Sequence, residues 1–220
     1  GRLARAVAHE INNPLTTISG WLQMFLADAN RLDPNRETYA LMQEEAQRIA
    51  AVVKNLMAFA ERRPLHRQPV NVNALLSNLV DSFAGRASSA GIRMVKRLRP
   101  NLPSISADDD QLREACANIL TRAQRVMGGR GTIEVSTEAL SHGAVEILFR
   151  DSGPGIPSEL LGKVFDPFSA LEEASPGIGL ALFVCQAIVQ GHGGKIEVRS
   201  EDGQGATFAV TLPVNGSAPA

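Results

Sequence analysis

Within the first 63 residues, apolar side chains recur at Ile11, Leu15, Ile18, Leu22 and Phe25, then at Met42, Ala46, Ile49, Val53, Leu56 and Ala60, in alternating steps of four and three. At 3.6 residues per turn such positions share one helix face. The spacing predicts two helices packed along a coiled-coil-like seam, connected around Asp33-Pro34-Asn35. Pro14, Pro34 and Gly20 are the stretch's prolines and its one glycine after Gly1. Two amphipathic helices of this length bury little alone. A second copy, giving a four-helix bundle and a homodimer, is the simplest cover for so wide a stripe. The chain opens eight residues before His9, inside the first helical pattern, and reads as a segment of a longer protein.

From Val70 the pattern changes. Asn73 to Ala90 reads as a helix, followed at Gly91 by a strand over Ile92–Lys96. Asp108 to Met127 reads as a helix with an acidic first turn, as its dipole prefers. Thr132–Ser136 and Val145–Phe149 alternate as hairpin strands through Ser141-His142-Gly143. A short helix is expected at Ser158–Val164 and a longer one at Gly177–Gly191. Lys195–Arg199 and Thr207–Leu212 form a last hairpin about Asp202-Gly203. This order predicts an α+β two-layer sandwich after the helical hairpin. The expected domains are 1–66 and 67–213, with 214–220 a disordered tail.

Composition narrows the function classes. With 44% hydrophobic and 20% charged residues among 220, the chain can build a core and is not wholesale disordered. Lys and Arg (22) nearly cancel Asp and Glu (23), which argues against nucleic-acid or anionic-membrane binding by bulk charge. Cys116 and Cys185 make no disulfide framework and fit a reducing cytoplasm. No apolar run approaches the roughly 18 to 20 residues of a membrane span, so this segment is expected to make no membrane contact.

His9 lies nine residues from Ile18, about 180° around the helix. It therefore faces away from the apolar stripe, beside Asn13 and Thr16. Pro14 removes an N–H from the carbonyl of Glu10, so a bend is expected there. An exposed neutral imidazole is a competent nucleophile near pH 7, and Glu10 can orient or deprotonate it. A lone histidine on a polar face is ordinarily just solvated surface. The whole string Ala8-His9-Glu10-Ile11-Asn12-Asn13-Pro14-Leu15, however, resembles the phospho-acceptor box of sensor histidine kinases, in particular the nitrogen-regulation-like branch.

That resemblance runs on to about Pro213. It implies a dimerisation and phosphotransfer domain followed by a Bergerat-type ATP-binding domain. His9 would accept the γ-phosphoryl group of ATP and pass it to an aspartate on a response regulator receiver domain. Glu10 would be the acid/base partner, and Asn13 would help place water for dephosphorylating the regulator.

A carboxylate at a strand end, as in Asp151-Ser152-Gly153-Pro154-Gly155-Ile156, can accept from the exocyclic amine of adenine while the glycines admit the base. Gly177-Ile178-Gly179-Leu180 opens a helix, where free N–H groups cradle phosphate. By the resemblance these are the two glycine boxes, with Asp151 reading adenine. Phe165-Asp166-Pro167-Phe168 matches the aromatic box, and the residues up to Pro176 match the mobile lid. Thr207, in the last glycine-containing hairpin, is expected to face the base. His192 is expected to sit at a helix cap, His142 in a turn and His66 in the linker.

Two departures bear on ATP turnover. The family carries two asparagines four apart on the helix that begins at Asp108. The first is Asn118, but the second, the usual Mg²⁺ ligand, is Arg122. A guanidinium has no acceptor and cannot ligate a metal. It is expected either to salt-bridge the phosphates in the metal's place or to block them. Arg125 keeps a basic residue. In the lid, Ala170-Leu171-Glu172 replaces the usual Thr-Thr-Lys, and Ser175 and Pro176 replace Gly and Thr. Mg²⁺ dependence is therefore in doubt. The competing reading is a weakened kinase acting as regulator phosphatase, relay or scaffold.

Overall fold

The computed structural model describes residues 2–28, 33–60, 64–141, 143–166 and 178–215, apart from the side chains of 2–10, 48, 51–52, 54–60, 86, 89, 178 and 180. The chain divides into two compact units, Gly1–Arg63 and Pro64–Ala220.

In the first unit, helix α1 (Arg2–Asp28) packs on α2 (Arg36–Ala60). The connection is made as its sequence suggests: the Asp33 carboxylate accepts from the Asn35 N–H at 2.8 Å, and the Tyr39 N–H donates to the Asn35 carbonyl at 2.9 Å. α1 continues through Pro14. Beside it, the hydroxyls of Thr16 and Thr17 donate to the carbonyls of Asn12 and Asn13 at 2.8 and 3.3 Å.

The apolar stripe splits in two. Leu15, Leu22, Ala46 and Val53 are buried, whereas Ile11, Ile18, Phe25, Met42 and Ile49 are exposed. Each set advances in steps of seven on its own helix. One neighbouring helix covers only one side of a seam this wide. The expected seam residues Leu56 and Ala60 lie outside the described side chains.

The second unit is built on a five-stranded sheet in the order β2-β4-β5-β7-β6. Its strands are β2 (Ile92–Leu98), β4 (Gly131–Leu140), β5 (Ala144–Asp151), β6 (Lys195–Ser200) and β7 (Ala206–Pro213). β2 and β4 are parallel and the other neighbours antiparallel. Helices α3 (Val72–Ser89), α4 (Asp109–Val126) and α6 (Ile178–Gly191) share one apolar core with the sheet, including Leu76, Ile119 and Leu182 with Ile133, Ile147 and Phe208. A short α5 spans Ser158–Leu161. This is the expected two-layer α+β sandwich. β1 (Gln68–Val70) and β3 (Ile105–Ala107) pair as a separate two-stranded sheet. Three-residue strands are too short for a periodic signal, and the sequence does not announce them.

Helix boundaries follow local chemistry. Asn71 caps α3 by accepting from the Ala74 N–H at 3.0 Å, and Asp108 caps α4 by accepting from Gln111 at 3.1 Å. Gly91 ends the first of these with φ +76°, where a Cβ would stand 2.5 Å from the Gly129 carbonyl. Val214, expected in a loose tail, is instead held: its N–H donates to Gly143 and its carbonyl accepts from Ser106, both at 3.0 Å. Residues 216–220 and His142 lie outside the described residues.

His192 does more than end a helix. Gly193 and Gly194 close α6 by donating to Gln190 and Val189, a Schellman arrangement. The buried imidazole accepts at Nε2 from the Asp108 N–H (2.9 Å), so Nδ1 carries the proton and donates to Ile188 (2.8 Å). It thus ties the end of α6 to the start of α4. His66, expected in the linker, donates its N–H to the Asp108 carboxylate within the second unit.

Burial holds the His192 pKa below its usual 6.5, against the opposing pull of the Ile188 hydrogen bond. Unfolded, this histidine takes up a proton near 6.5. Its contribution to stability is therefore complete above that pH and lost as pH falls through the lowered value. Denaturant unfolding at pH 7.5 and 5.5 should show a loss at the lower pH that shrinks in His192→Asn.

Candidate functional site

Strand β5 places the key carboxylate. Val145, Ile147, Phe149 and Asp151 alternate on one face, and all four are buried. Asp151 is only 2% exposed. Its Oδ1 accepts from the N–H groups of Gly153 (3.0 Å) and Ala206 (3.3 Å). Its Oδ2 accepts from Nη1 of Arg122 in a buried ion pair. Arg122, 3% exposed, also lays its guanidinium over the Phe208 ring, 5.0 Å from the centroid. Burial lowers the Arg122 pKa, and the Asp151 carboxylate works against that shift.

The loop after β5 is stitched to the turn before β7. The Ile156 N–H donates to Ser200 Oγ at 2.8 Å, and that hydroxyl donates to the Gly205 carbonyl at 2.6 Å. The Gly203 N–H reaches the Pro154 carbonyl at 2.7 Å. Gly155 and Gly205 have φ near +83° and +82°. A Cβ would fall 2.3 Å from the Glu201 carbonyl oxygen at Gly155, and 2.0 Å from that of Asp151 at Gly205. Ile156 is buried below the loop, and Phe165 meets Phe208 edge to face at 6.4 Å.

The structure thus gathers Asp151, Gly153, Gly155, Ile156, Phe165 and Arg122 around one end of the sheet. Thr207 does not join them. In a strand's two-residue period, Ala206 is the partner of Asp151, while Thr207 pairs with the exposed Arg150 and Arg199. The residue at the carboxylate is therefore Ala206. Sequence reasoning also missed Phe208 and Ser200, although the same alternation from Ala206 points to Phe208.

On α4, Asn118 is half-buried one turn before Arg122, and the buried Cys185 thiol donates to the Ala115 carbonyl of the same helix at 3.2 Å. The Cys116 thiol is pushed up to about 12 by burial. Arg125 is exposed in the last turn of α4. Gly179 is buried in the first turn of α6. Gly177, Pro167 to Pro176 (Glu172 and Phe168 among them) and the side chain of Leu180 lie outside the described residues. His9 and Glu10 lie within α1 with side chains outside the described ones, and Asn13 is exposed.

Mg²⁺ is a hard cation that takes oxygen ligands and keeps several waters, and of the two expected asparagine positions on α4 the one that still offers a side-chain oxygen is Asn118, through Oδ1. Arg122 offers no acceptor and is committed to Asp151. Among the described residues no group of three His, Cys, Asp or Glu side chains could hold a metal ion.

Comparison with known proteins agrees with this architecture. Residues 1–64 match the His Kinase A (phospho-acceptor) domain. Residues 107–216 match the histidine kinase-, DNA gyrase B-, and HSP90-like ATPase family. The chain is 36% identical over 217 residues to the sensor histidine kinase ZraS of Klebsiella oxytoca, covering 98% of this chain and 46% of that protein. It is 32% identical over 228 residues to the sensory histidine kinase/phosphatase NtrB of Rhizobium meliloti, covering 97% and 58%.

Two solved structures are also similar. Full-length ShkA in complex with AMPPNP aligns with a TM-score of 0.75 at 25% identity, over 100% of this chain and 47% of that one. The histidine kinase ThkA in complex with the response regulator protein TrrA aligns at 0.72 and 25%, over 98% and 62%. A phospho-acceptor hairpin ahead of an ATPase sandwich defines the class, and the chain belongs to the sensor histidine kinases. It spans about half the length of the curated relatives it matches.

Gly205→Ala would place a methyl group against the Asp151 backbone in a left-handed conformation. It should lower stability by roughly 2 kcal/mol or more, read by urea denaturation, whereas Gly162→Ala, with open space around it, should change stability little.

Proposed function

We propose that the chain is the cytoplasmic kinase core of a sensor histidine kinase, which phosphorylates itself on His9 from ATP and passes the group to an aspartate of a response regulator receiver domain. The observation that carries this reading is the Asp151 carboxylate, buried at a strand end and fixed by two backbone N–H groups beside a glycine loop. Such a carboxylate keeps Oδ2 as the acceptor for the adenine amine, an oxygen that the Arg122 guanidinium holds in this structure. The N-terminal turn of α6, which begins at Ile178, is the part expected to meet phosphate. An imidazole nitrogen of His9 attacks the γ-phosphorus, ADP leaves, and Glu10 takes the imidazole proton. Asn13 helps place the water that hydrolyses the regulator's aspartyl phosphate, releasing inorganic phosphate and the free aspartate. No step is assigned to Mg²⁺, because Arg122 stands at the position of its usual ligand and is paired with Asp151.

Dimerisation belongs to the same proposal. The exposed half of the stripe is a ready surface for a second copy, joined by Trp21, Met24 and Leu41, also exposed. The match to the phospho-acceptor domain and the kinase–regulator complex of ThkA support dimer and regulator partnership. No helix among the described residues is long and apolar enough to cross a membrane.

With γ-labelled ATP the chain should acquire acid-labile label that His9→Gln abolishes. Absence of label in the parent, with binding to the regulator intact, would favour the scaffold or relay reading. By light scattering at micromolar concentration the parent should be dimeric, and Ile18→Asp or Ile49→Asp should give monomers that remain helical by circular dichroism. Both sites are exposed in the single chain, so their loss acts between copies rather than within the hairpin.

A further inference from the structure

The cation at residue 122 was expected at the phosphates, but it sits at the base-reading carboxylate. Asp151 spends Oδ1 on the Gly153 and Ala206 N–H groups, which leaves Oδ2 as its outward acceptor. Arg122 donates to that oxygen. A guanidinium is a planar amidine-like group, and its N–H edge offers the carboxylate what the exocyclic amine of adenine would offer. The Phe208 ring beneath it adds a cation–π contact. Both members of the pair are nearly inaccessible, so a base cannot reach Oδ2 while Arg122 remains.

Resting on the reading of Asp151 as the base acceptor, we propose that Arg122 is an internal occupant of the base site, so that nucleotide binds only in competition with this side chain. A buried charge cannot simply be left unpaired. When a base takes Oδ2, the guanidinium must find another anion or water. Apparent affinity is the intrinsic affinity multiplied by the fraction of molecules in which Arg122 has left. Arg122 is thus a specificity- and affinity-setting residue, acting at the base end of the pocket rather than the metal end.

ADP in the presence of EDTA isolates that end, because no metal contributes. Calorimetric titration of the 220-residue chain should show Arg122→Asn binding metal-free ADP about tenfold or more tightly than the parent. Arg122→Gln, which keeps a neutral amide donor for Asp151, is the second variant if the first does not fold; circular dichroism reports folding. Equal ADP affinity in the parent and a folded variant would overturn the inference and leave the proposed function standing. A gain seen only with Mg²⁺ would also overturn it, in favour of an effect at a metal position. If neither the parent nor the folded variants bind ADP or ATP under any condition, the inference and the nucleotide-binding part of the proposed function both fall.

Discussion

A carboxylate on the core side of a β-sheet must be answered by donors, and much of the second unit's local structure supplies them. Asp151 follows Val145, Ile147 and Phe149 on the buried face of β5. Left alone there, its charge would be costly to desolvate. Two backbone N–H groups and one guanidinium meet it. The first two require the loop and the β6–β7 turn to approach closely, which only glycine allows at 205. The third requires a long cation from the facing helix. Ser200 then fastens loop and turn to each other. The site's geometry is the set of conditions under which one acid can be buried.

The sequence made much of this legible, unevenly. The limits of α3, α4 and α6 came within a residue or so because Asp108, Gly91 and Gly193-Gly194 act locally, whereas α5 stops at Leu161, three residues before the expected Val164. The long strands were visible through alternation, although β4 extends to Leu140. The pairing of β1 with β3 left no trace in so few residues. Thr207 was expected to face the base because Gly203 to Phe208 resembles the family's last glycine-containing hairpin, but strand period assigns that side to Ala206 and Phe208. The Arg122–Asp151 pair was missed because its partners are 29 residues apart on different elements. Two local patterns do point to it. Arg122 follows Ala115 and Ile119 on the buried face of α4, and Asp151 shares a face with β5's core residues. Opposite charges on two apolar faces that pack together have little choice but to meet.

The first unit obeys a similar economy of faces. One apolar stripe, read from steps of four and three, resolves into a buried set and an exposed set. The hairpin accounts for the first alone. Substitutions in the two sets therefore separate folding of the hairpin from association, which a stripe viewed only as sequence does not distinguish.

The His192 tie has a mechanical corollary. It pins α6 at its C-terminal end, against the first residue of the α4 cap. The glycines expected to meet phosphate lie at the other end, 14 helical residues away. At about 1.5 Å per residue that is a lever arm of roughly 20 Å. With its pivot fixed, a tilt of a few degrees becomes an ångström or more of travel at Gly179, while the core around His192 stays still.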